Sequence, residues 1–480
     1  MYMSKKLCIH GHFYQPDRVD PFSDAIPDDV GVLNKTKRKF HNWNELINYQ
    51  CYAPNAKLKN FNLISFDLVR PLAEWLCHHD TETYHRIMLS IHDAIDRDKV
   101  APIMASSWDH VILPIMNDVD LLLEISWGLA DFRKRFGVEA HAFWLPETAV
   151  SYRVLEVLAK KGVRLVILSS HQAQSAIDPT KFYRVNMQDN HIDVTFFHKE
   201  FSDRLSFDNS GMQNADQFAK SALPYVPNED GFLLGATDGE RYGHHFEGGP
   251  QFLHQLLTVS AKAAGFEVAS LPLLHMKAHD LPETTIVDLS SWSCLCGGLQ
   301  RWQGDCACAL DYTDNNKRVD GNWKAHLMFA VRQLSDQLWD YSNQFFSRVL
   351  RNSLAACDDF VNVTLHNKTE SEFLAQHALQ PLDDHDTRKL FLLLHMQRYR
   401  LASFTSCATF FWNVDRPEPR IVIHQAKKAL SILGLIQEHA LMYKLESLFV
   451  DELAKALDYK SGASGKDLYE EHGHLYHETI

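Results

Sequence analysis

Short apolar runs alternate with amphipathic stretches over the first 290 residues. The apolar runs are rich in Val, Ile, Leu and Phe, which is typical of buried strands. They cover residues 7–13, 142–145, 164–169, 194–197 and 231–237. Between them, residues 119–136 and 152–161 carry apolar side chains at helical spacing. This repeated order predicts a mostly parallel sheet covered by helices, open or closed into a barrel, with its chemistry at the C-terminal ends of the strands.

The pattern changes at about residue 290. Residues 290–321 are irregular and rich in Cys, Gly and Trp, and helical spacing then dominates residues 323–350, 386–401 and 421–459. We therefore expect a barrel domain over residues 1–290 and a helical domain, beginning with the Cys/Trp loop, over residues 291–460. The polar tail, residues 461–480, is expected to be loosely ordered.

Composition and charge narrow the classes of function. The chain has 480 residues, of which 45% are hydrophobic and 23% charged, as in ordinary globular proteins. A net charge of −13 without a long Lys/Arg run argues against nucleic acid as a partner and suits neutral ligands such as sugars. No apolar run reaches the length of a membrane span, the N-terminus lacks a signal-peptide pattern, and the nine cysteines do not resemble a secreted disulfide framework. We expect a cytoplasmic protein; its oligomeric state is not indicated.

Polar residues gather where two of the predicted strands end. His10 and His12 close the first strand at a spacing of two, so both side chains point to the same side. They suit recognition of sugar hydroxyls or binding of a metal, although backbone carbonyls can also satisfy such a pair. Glu147 follows a strand and Pro146. It is either a carboxylate at the mouth of a barrel or an acid in the first turn of the next helix.

A third cluster follows the strand at residues 231–237 and combines small, acidic and basic residues: Asp238, Gly239, Glu240, Arg241, Gly243, His244 and His245. Its two glycines would let the backbone turn sharply and approach a ligand. Two carboxylates on different strand ends are what glycosidic cleavage needs. One attacks the sugar or stabilises its positive charge, and the other protonates the departing oxygen.

The three clusters, in this order and spacing, resemble the first, third and fourth signature regions of glycoside hydrolase family 57. Further motifs fit one uncharacterised branch of that family whose members add a helical domain of unknown function: residues 41–45, 64–66, 112–114, 127–132, 291–294 and 405–411. Two departures stand out. Phe13 and Tyr14 interrupt the usual His-x-His-Gln-Pro signature, and residues 101–117 lack the Gly-containing motif of the second signature.

The resemblance implies a distorted (β/α)₇ barrel, followed by the helical domain, and a retaining double displacement on an oligo- or polysaccharide of the α-glucan class. Glu147 matches the family's nucleophile and Asp238 its general acid/base. His10 and His12 match histidines that contact the sugar at the cleavage point, and Trp144 and His244 lie in the same signature regions and are expected to line the site. Catalysis is expected to need no cofactor. Hydrolysis and transfer to a sugar hydroxyl both remain open.

Four cysteines lie in the short irregular segment: Cys294, Cys296, Cys306 and Cys308. Four thiolates suit a structural zinc ion or an iron–sulfur cluster, and the alternative is reduced, buried thiols. Trp302, between the two pairs, is a candidate for stacking on a sugar ring.

Two other classes of function compete with glycoside hydrolysis. One is a metal-dependent carbohydrate hydrolase or deacetylase, in which His10, His12, Asp238 and either His244 or His245 bind a divalent ion. The other is a glucan-binding or regulatory protein without activity. The presence of both carboxylates favours the enzyme.

Overall fold

The structure, a computed structural model, describes residues 5–28, 31–228, 231–311 and 314–471. The chain forms two compact units. The first comprises Met1–Gln15, Pro27–Trp108 and Asp131–Trp292, and the second comprises Pro16–Ile26, Asp109–Ala130 and Ser293–Ile480. The sequence predicted one boundary, near residue 290. It did not predict that two earlier segments join the helical unit, because such membership depends on tertiary contacts rather than on local pattern.

Among the described residues, nine strands belong to the first unit: β1 Lys5–Phe13, β2 Ser65–Leu68, β3 Ile103–Met104, β4 Ala142–Phe143, β5 Leu165–Ser169, β6 Phe182–Asn186, β7 His191–Phe197, β8 Phe232–Asp238 and β9 Phe266–Val268. The five predicted strands correspond to β1, β4, β5, β7 and β8. Strands β2, β3, β6 and β9 were not predicted; they have at most five residues each and carry too little apolar pattern to stand out.

Seven of these strands are parallel and follow one another around a closed path. Within two sheets, β1 pairs with β2 and β8, β2 with β3, β4 with β5, and β5 with β7. A parallel bridge between Ala105 and Phe143 joins β3 to β4. The backbone N–H of His198, just after β7, donates to the carbonyl of Leu234 in β8 at 2.9 Å. The result is the expected (β/α)₇ barrel. It is distorted between β7 and β8, where β6 pairs antiparallel with β7 and the hydrogen bond from His198 to Leu234 joins the chain after β7 to β8.

The barrel has an apolar interior. One cluster of buried side chains draws on β1, β3, β4, β5, β7 and β8, and includes Cys8, Met104, Trp144, Ile167 and Leu234. Every residue of β5 is buried. Strands buried on both faces lack polar alternation, which explains why these segments read as continuous apolar runs.

Helices connect the strands of the first unit: Trp43–Ile47, Ala53–Lys57, Arg70–His79, Thr81–Asp98, Tyr152–Lys160, Lys199–Phe207, Ala215–Ala222, Gly249–Gln255, Ala261–Ala263 and Leu271–Met276. Asn48–Tyr52 is a π-helical turn between the first two. Helix Asp118–Phe136 begins in the second unit and ends in the first.

The second unit is helical: Gln300–Gln303, Asn322–Val349, Ser353–Thr364, Glu370–His377, Asp384–Ala402, Cys407–Phe410, Pro417–Leu435, His439–Leu453 and Gly465–Glu470, with a short strand pair, Leu310–Asp311 and Lys317–Arg318. The stretch predicted as helical over residues 421–459 is two helices. It breaks where Gln437 adopts a φ of 63°, in the left-handed region.

The predicted tail is ordered in part. Residues 465–470 form a helix that begins with a capping box between Ser464 and Asp467, so this part is not loosely ordered as expected. Residues 472–480 lie outside the described residues. None of the described helices combines the length and the apolar character that crossing a bilayer requires.

Candidate active site

The predicted catalytic residues lie at the C-terminal ends of barrel strands. His10 and His12 are on β1, and His12 is in register with Asp238 at the end of β8. Glu147 follows β4. Because parallel strands end on the same rim of a barrel, all four residues belong to one mouth.

Asp67, at the same height on β2, joins the two histidines. His10 Nε2 lies 3.2 Å from one carboxylate oxygen of Asp67, and His12 Nδ1 lies 2.8 Å from the other. The Asp67 side chain is fully buried. One buried carboxylate therefore fixes the orientation of both imidazoles, and the two side chains do point to one side, as their spacing predicted.

The two histidines differ in charge, because the pKa of His10 is lowered and that of His12 is raised. Burial lowers the pKa of His10, against the opposing effect of Asp67. Burial alone would also lower the pKa of His12, but Asp67, Asp238 and Glu240 outweigh it and raise that pKa to about 9. The pKa of Asp67 is lowered, because the two histidines outweigh its burial. At neutral pH His12 is thus a cation beside an ionised Asp67, and His10 is neutral.

Trp144 lies behind the histidines. Its ring stacks on His10 and His12, with centroid separations of 4.7 and 5.1 Å, and its exposed fraction is 0%. Trp292 packs edge-on against it at 5.3 Å. Trp144 therefore supports the imidazoles from within the barrel. Its contact with substrate remains a prediction.

Glu147 has an unusual backbone. Its φ of 56° and ψ of 21° place it in the left-handed region, and the next residue, Thr148, has a φ of 47°. Each such conformation costs a non-glycine residue about 1–2 kcal/mol. Neighbouring contacts hold it: the Ser291 hydroxyl donates to the Glu147 carbonyl at 2.8 Å, and the Gln172 amide donates to the Thr148 carbonyl at 2.9 Å. Strain maintained in this way is typical of residues positioned for function.

The Glu147 carboxylate is held by Trp292, whose indole N–H donates to Oε2 at 3.0 Å. The Trp292 backbone N–H donates to Thr148 Oγ1 at 2.9 Å, so the indole is itself fixed. Glu147 does not cap the following helix, because Ser151 does so by accepting from the N–H of Val154. The helix-capping interpretation of Glu147 is therefore wrong.

Asp238 retains a proton far more readily than an ordinary aspartate. Its side chain opens to solvent, yet protein atoms surround it on the remaining sides. The resulting desolvation is the largest effect and raises its pKa. His12 opposes this shift, while the charges of Glu147 and Asp67 add to it, and the pKa reaches about 6. Glu147 and Asp238 are thus close enough to interact electrostatically.

A third carboxyl group lies beside Asp238. Glu240 is buried, accepts a hydrogen bond of 2.6 Å from the Tyr52 hydroxyl, and accepts another from the backbone N–H of Tyr14 at 3.3 Å. Burial raises its pKa, the hydrogen bond from Tyr52 opposes this, and the charge of Asp238 adds to it, giving about 7. Tyr52 lies on the π-helical turn, a feature that often marks functional sites.

His244 contacts the same turn. Its Nδ1 lies 2.7 Å from the side-chain oxygen of Gln50, and its ring meets Trp43 edge-on at 6.1 Å. Burial, with a smaller effect of His245, lowers its pKa to about 4. Gly243, with a φ of 149°, allows this approach, because an added Cβ would lie 2.2 Å from the Gln50 carbonyl. This glycine brings the backbone close to the protein itself, whereas the sequence suggested a ligand.

Trp302 and the four cysteines belong to the second unit. The Trp302 ring is 1% exposed and lies 6.4 Å from the ring of Phe410. Its stacking on a sugar remains a prediction. Cys294 Sγ lies 3.9 Å from Cys306 Sγ, and Cys296 Sγ lies 3.5 Å from Cys308 Sγ.

Two models of known protein families match the sequence of this chain. The model described as glycosyl hydrolase family 57 matches residues 27–289, more than half of the chain. The chain belongs to this family. A second model, described as a domain of unknown function (DUF3536), matches residues 320–474 and agrees with the branch that the sequence resembled. No curated protein sequence matches the chain.

Solved structures share the fold. An exo-type maltose-forming amylase from Pyrococcus sp. ST04 is 14% identical, with 95% of this chain and 83% of that one covered and a TM-score of 0.74. A family 57 branching enzyme from Pyrococcus horikoshii is 12% identical, with 97% and 93% covered and a TM-score of 0.61. The α-amylase AmyC from Thermotoga maritima is 12% identical, with 97% and 99% covered and a TM-score of 0.56.

The geometry does not favour the alternative of a metal-binding histidine cluster. Across the described residues, two groups bring three or more ligand atoms within 4.8 Å of one another, and neither contains His10, His12, Asp238, His244 or His245.

Four contributors to the site were missed in the sequence: Asp67, Glu240, Trp292 and Tyr52. Asp67 had a usable signal, since it is a carboxylate on the apolar run that contains the 64–66 motif, the same kind of position that identified Glu147. Glu240 was in the third cluster but was assigned no role. Trp292 and Tyr52 reach the carboxylates from more than 140 residues away along the chain, and no local pattern indicates such contacts.

Proposed function

We propose that this family 57 member cleaves or transfers α-glucosidic bonds by double displacement, with Glu147 as nucleophile and Asp238 as general acid/base. The observation that carries the proposal is the electrostatic coupling of the two carboxylates, of which Asp238 keeps its proton to about pH 6. A glycosidase needs one ionised and one protonated carboxyl group at the same bond.

Each group has a defined task in the two steps. Glu147, oriented by the Trp292 indole, attacks the anomeric carbon while Asp238 gives its proton to the leaving oxygen. Asp238 then takes a proton from water or from a sugar hydroxyl, which attacks the glycosyl-enzyme and releases Glu147. Water gives hydrolysis and a sugar hydroxyl gives transfer.

The histidines are proposed to bind the sugar at the cleavage point. The His12 cation can donate to a hydroxyl, and its charge favours the ionised form of Asp238 after the first proton transfer. Trp144, behind both imidazoles, keeps them in place. His244 and Trp302 remain proposed substrate contacts.

Three observations support an α-glucan as the substrate. The family is one of glycosyl hydrolases, the neighbours that share the fold are named amylases and a branching enzyme, and the negative net charge of −13 suits a neutral polymer better than nucleic acid. For the location, the cytoplasm is our proposal. Within the described residues the cysteines form no disulfide, which suits a reducing compartment.

Product analysis tests the proposal. The purified chain would be incubated with maltooligosaccharides, amylose and glycogen, and the products separated by chromatography. Shortened chains indicate hydrolysis, and a ladder of longer chains or new branches indicates transfer. Glu147→Gln should be inactive, and Glu247→Gln, which changes an exposed glutamate, should be as active as the wild type. No change in any α-glucan at high enzyme concentration would contradict the proposal.

Chelation separates this proposal from metal-dependent chemistry. Because the proposed steps use only carboxylates, brief treatment with EDTA should leave turnover intact. Complete loss of activity, restored by one added divalent ion, would favour the metal-dependent alternative.

A further inference from the structure

The four cysteines of the second unit come together although their two pairs are separated by a helix. We name residues 294–308 the four-cysteine loop; it contains helix Gln300–Gln303. Cys294 and Cys306 are buried, Cys308 is half-buried and Cys296 is exposed. The ligand atoms of Cys294, Cys306 and Cys308 lie within 4.8 Å of one another, and Cys296 Sγ lies 3.5 Å from Cys308 Sγ.

Three of the thiols, those of Cys294, Cys306 and Cys308, lie close enough together to share one ion, and Cys296 adjoins Cys308. Zinc–sulfur bonds of about 2.3 Å at tetrahedral angles place neighbouring sulfurs about 3.8 Å apart. The two measured pairs, at 3.9 and 3.5 Å, lie on either side of that value. Cys306 also interacts with each of the other three cysteines, so the four sulfurs form one group.

The surroundings supply positive charge. Arg301 and Lys324 are 6% and 0% exposed, and within the described part of the chain neither forms an ion pair with a carboxylate. The Lys324 ammonium donates to the Arg301 carbonyl at 3.0 Å, and the Arg301 guanidinium donates to the Cys308 carbonyl at 3.0 Å. Buried cations without an anionic partner are costly. Four thiolates around a divalent ion carry a net charge of −2, which these two cations would balance.

We propose that Cys294, Cys296, Cys306 and Cys308 bind one tetrahedrally coordinated metal ion, zinc by preference, with Arg301 and Lys324 as its buried counter-charges. The ion is structural, because all four positions around it are filled by protein ligands. It closes the four-cysteine loop and holds helix Gln300–Gln303, whose Trp302 is almost completely buried. This site is independent of the proposed glycosidase chemistry.

Metal analysis of the full chain, purified without a histidine tag, tests the proposal. Wild-type protein dialysed against EDTA should keep one zinc, or one mononuclear iron, per chain by mass spectrometry of the elements. Cys306→Ala should keep less than about a tenth of that amount, since three thiolates bind zinc far more weakly than four. Cys296→Ala gives a second test that is independent of folding, because its side chain is exposed.

A matched control and a thiol assay make the outcomes distinct. Cys357→Ala removes a buried cysteine of helix Ser353–Thr364 and should retain the full metal content. In native wild-type protein the four loop thiols should resist a thiol reagent until a mercurial releases the ion. Any one of four results would overturn the proposal. They are protein without stoichiometric metal, metal that persists in both loop variants, several irons with inorganic sulfide, and an intact mass lower by about four hydrogens, as two disulfides require.

Discussion

Asp238 and Glu147 have different surroundings. Asp238 is desolvated and lies within the field of Glu147, which raises the pKa of Asp238, whereas the Glu147 carboxylate accepts a hydrogen bond from Trp292. The proposed mechanism gives these two residues of similar chemistry opposite roles, and different environments are how glycosidases separate such roles.

Replacing the acid should affect substrates according to their leaving group. Asp238→Asn should slow the cleavage of natural α-glucans by about 10²–10⁴-fold, because no proton reaches the departing oxygen. An activated glycosyl fluoride, whose leaving group needs no proton, should still form the glycosyl-enzyme. The measurement is the single-turnover rate with both substrates. Equal losses on both would show that Asp238 has another role.

The pH dependence follows from the pKa of Asp238. Only its protonated form can start the reaction, so kcat/KM should fall as pH rises through about 6. His12→Gln removes a cation that lowers this pKa, and the midpoint of the alkaline limb should therefore move to higher pH. His244→Gln, whose histidine does not act on Asp238, should leave the midpoint unchanged. A midpoint that moves down in His12→Gln would contradict this electrostatic assignment.

At the residue scale, the sequence indicated the polar residues at or just after the ends of buried apolar runs, namely His10, His12, Glu147 and Asp238. It did not indicate the charge of His12, whose pKa Asp67 and the neighbouring acids raise to about 9 against the effect of burial. Such effects depend on which strands become neighbours, which residue type and spacing do not specify.

At the scale of elements, residues 290–292 contact the segment after β4 and hold Glu147 in place. Ser291 donates to the Glu147 carbonyl at 2.8 Å and the Trp292 indole to the Glu147 carboxylate at 3.0 Å, while the Trp292 backbone N–H donates to the Thr148 hydroxyl at 2.9 Å. The strained conformation at Glu147 and Thr148 exists because these neighbours maintain it.

Trp292→Phe tests this support. The substitution keeps a ring against Trp144 but removes the indole N–H that binds Glu147. A hydrogen bond to a charged group contributes about 1.5–3 kcal/mol, so kcat should fall by about ten- to a hundred-fold with little change in thermal stability. Trp43→Phe, at an exposed tryptophan, should have little effect on kcat. Unchanged kcat in Trp292→Phe would show that the indole does not position Glu147.

The long helices were predicted closely, and their periodic apolar faces explain why. The helices predicted over residues 323–350 and 386–401 correspond to the observed helices Asn322–Val349 and Asp384–Ala402. The break near Gln437 was missed, because a single left-handed residue leaves the apolar pattern on both sides intact. Strands β2, β3, β6 and β9 were missed, because short strands without a continuous apolar run are recognisable only once paired.

On the scale of the whole molecule, the second unit is stabilised by a buried ion pair between distant parts of the chain. Arg400 and Asp120 are each 1% exposed and form two hydrogen bonds of 2.5 and 2.8 Å, and Arg400 also donates to Ser335 at 2.8 Å. This pair ties the segment Asp109–Ala130 to the C-terminal helices of the same unit.

Arg400→Met should lower the free energy of unfolding by about 3–5 kcal/mol, because it removes the cation that pairs with the buried Asp120 carboxylate. Thermal denaturation would measure the loss. Adding Asp120→Leu should recover much of the stability, since an apolar pair replaces the unpaired charge. Arg388→Met, at an exposed position of the same helix, is the matched control. A double variant less stable than Arg400→Met alone would contradict this explanation.

The identity of the nucleophile decides whether the catalytic proposal as a whole is correct. In the Asp238→Asn variant, an activated α-glucosyl fluoride should form the glycosyl-enzyme, and the missing general base should slow its breakdown. After rapid quenching and digestion, peptide mass spectrometry should find one added glucosyl group on the peptide that contains Glu147, and none in the Glu147→Gln, Asp238→Asn double variant. A label on another carboxylate, or turnover with inversion and no labelled peptide, would contradict the assignment of Glu147 as nucleophile.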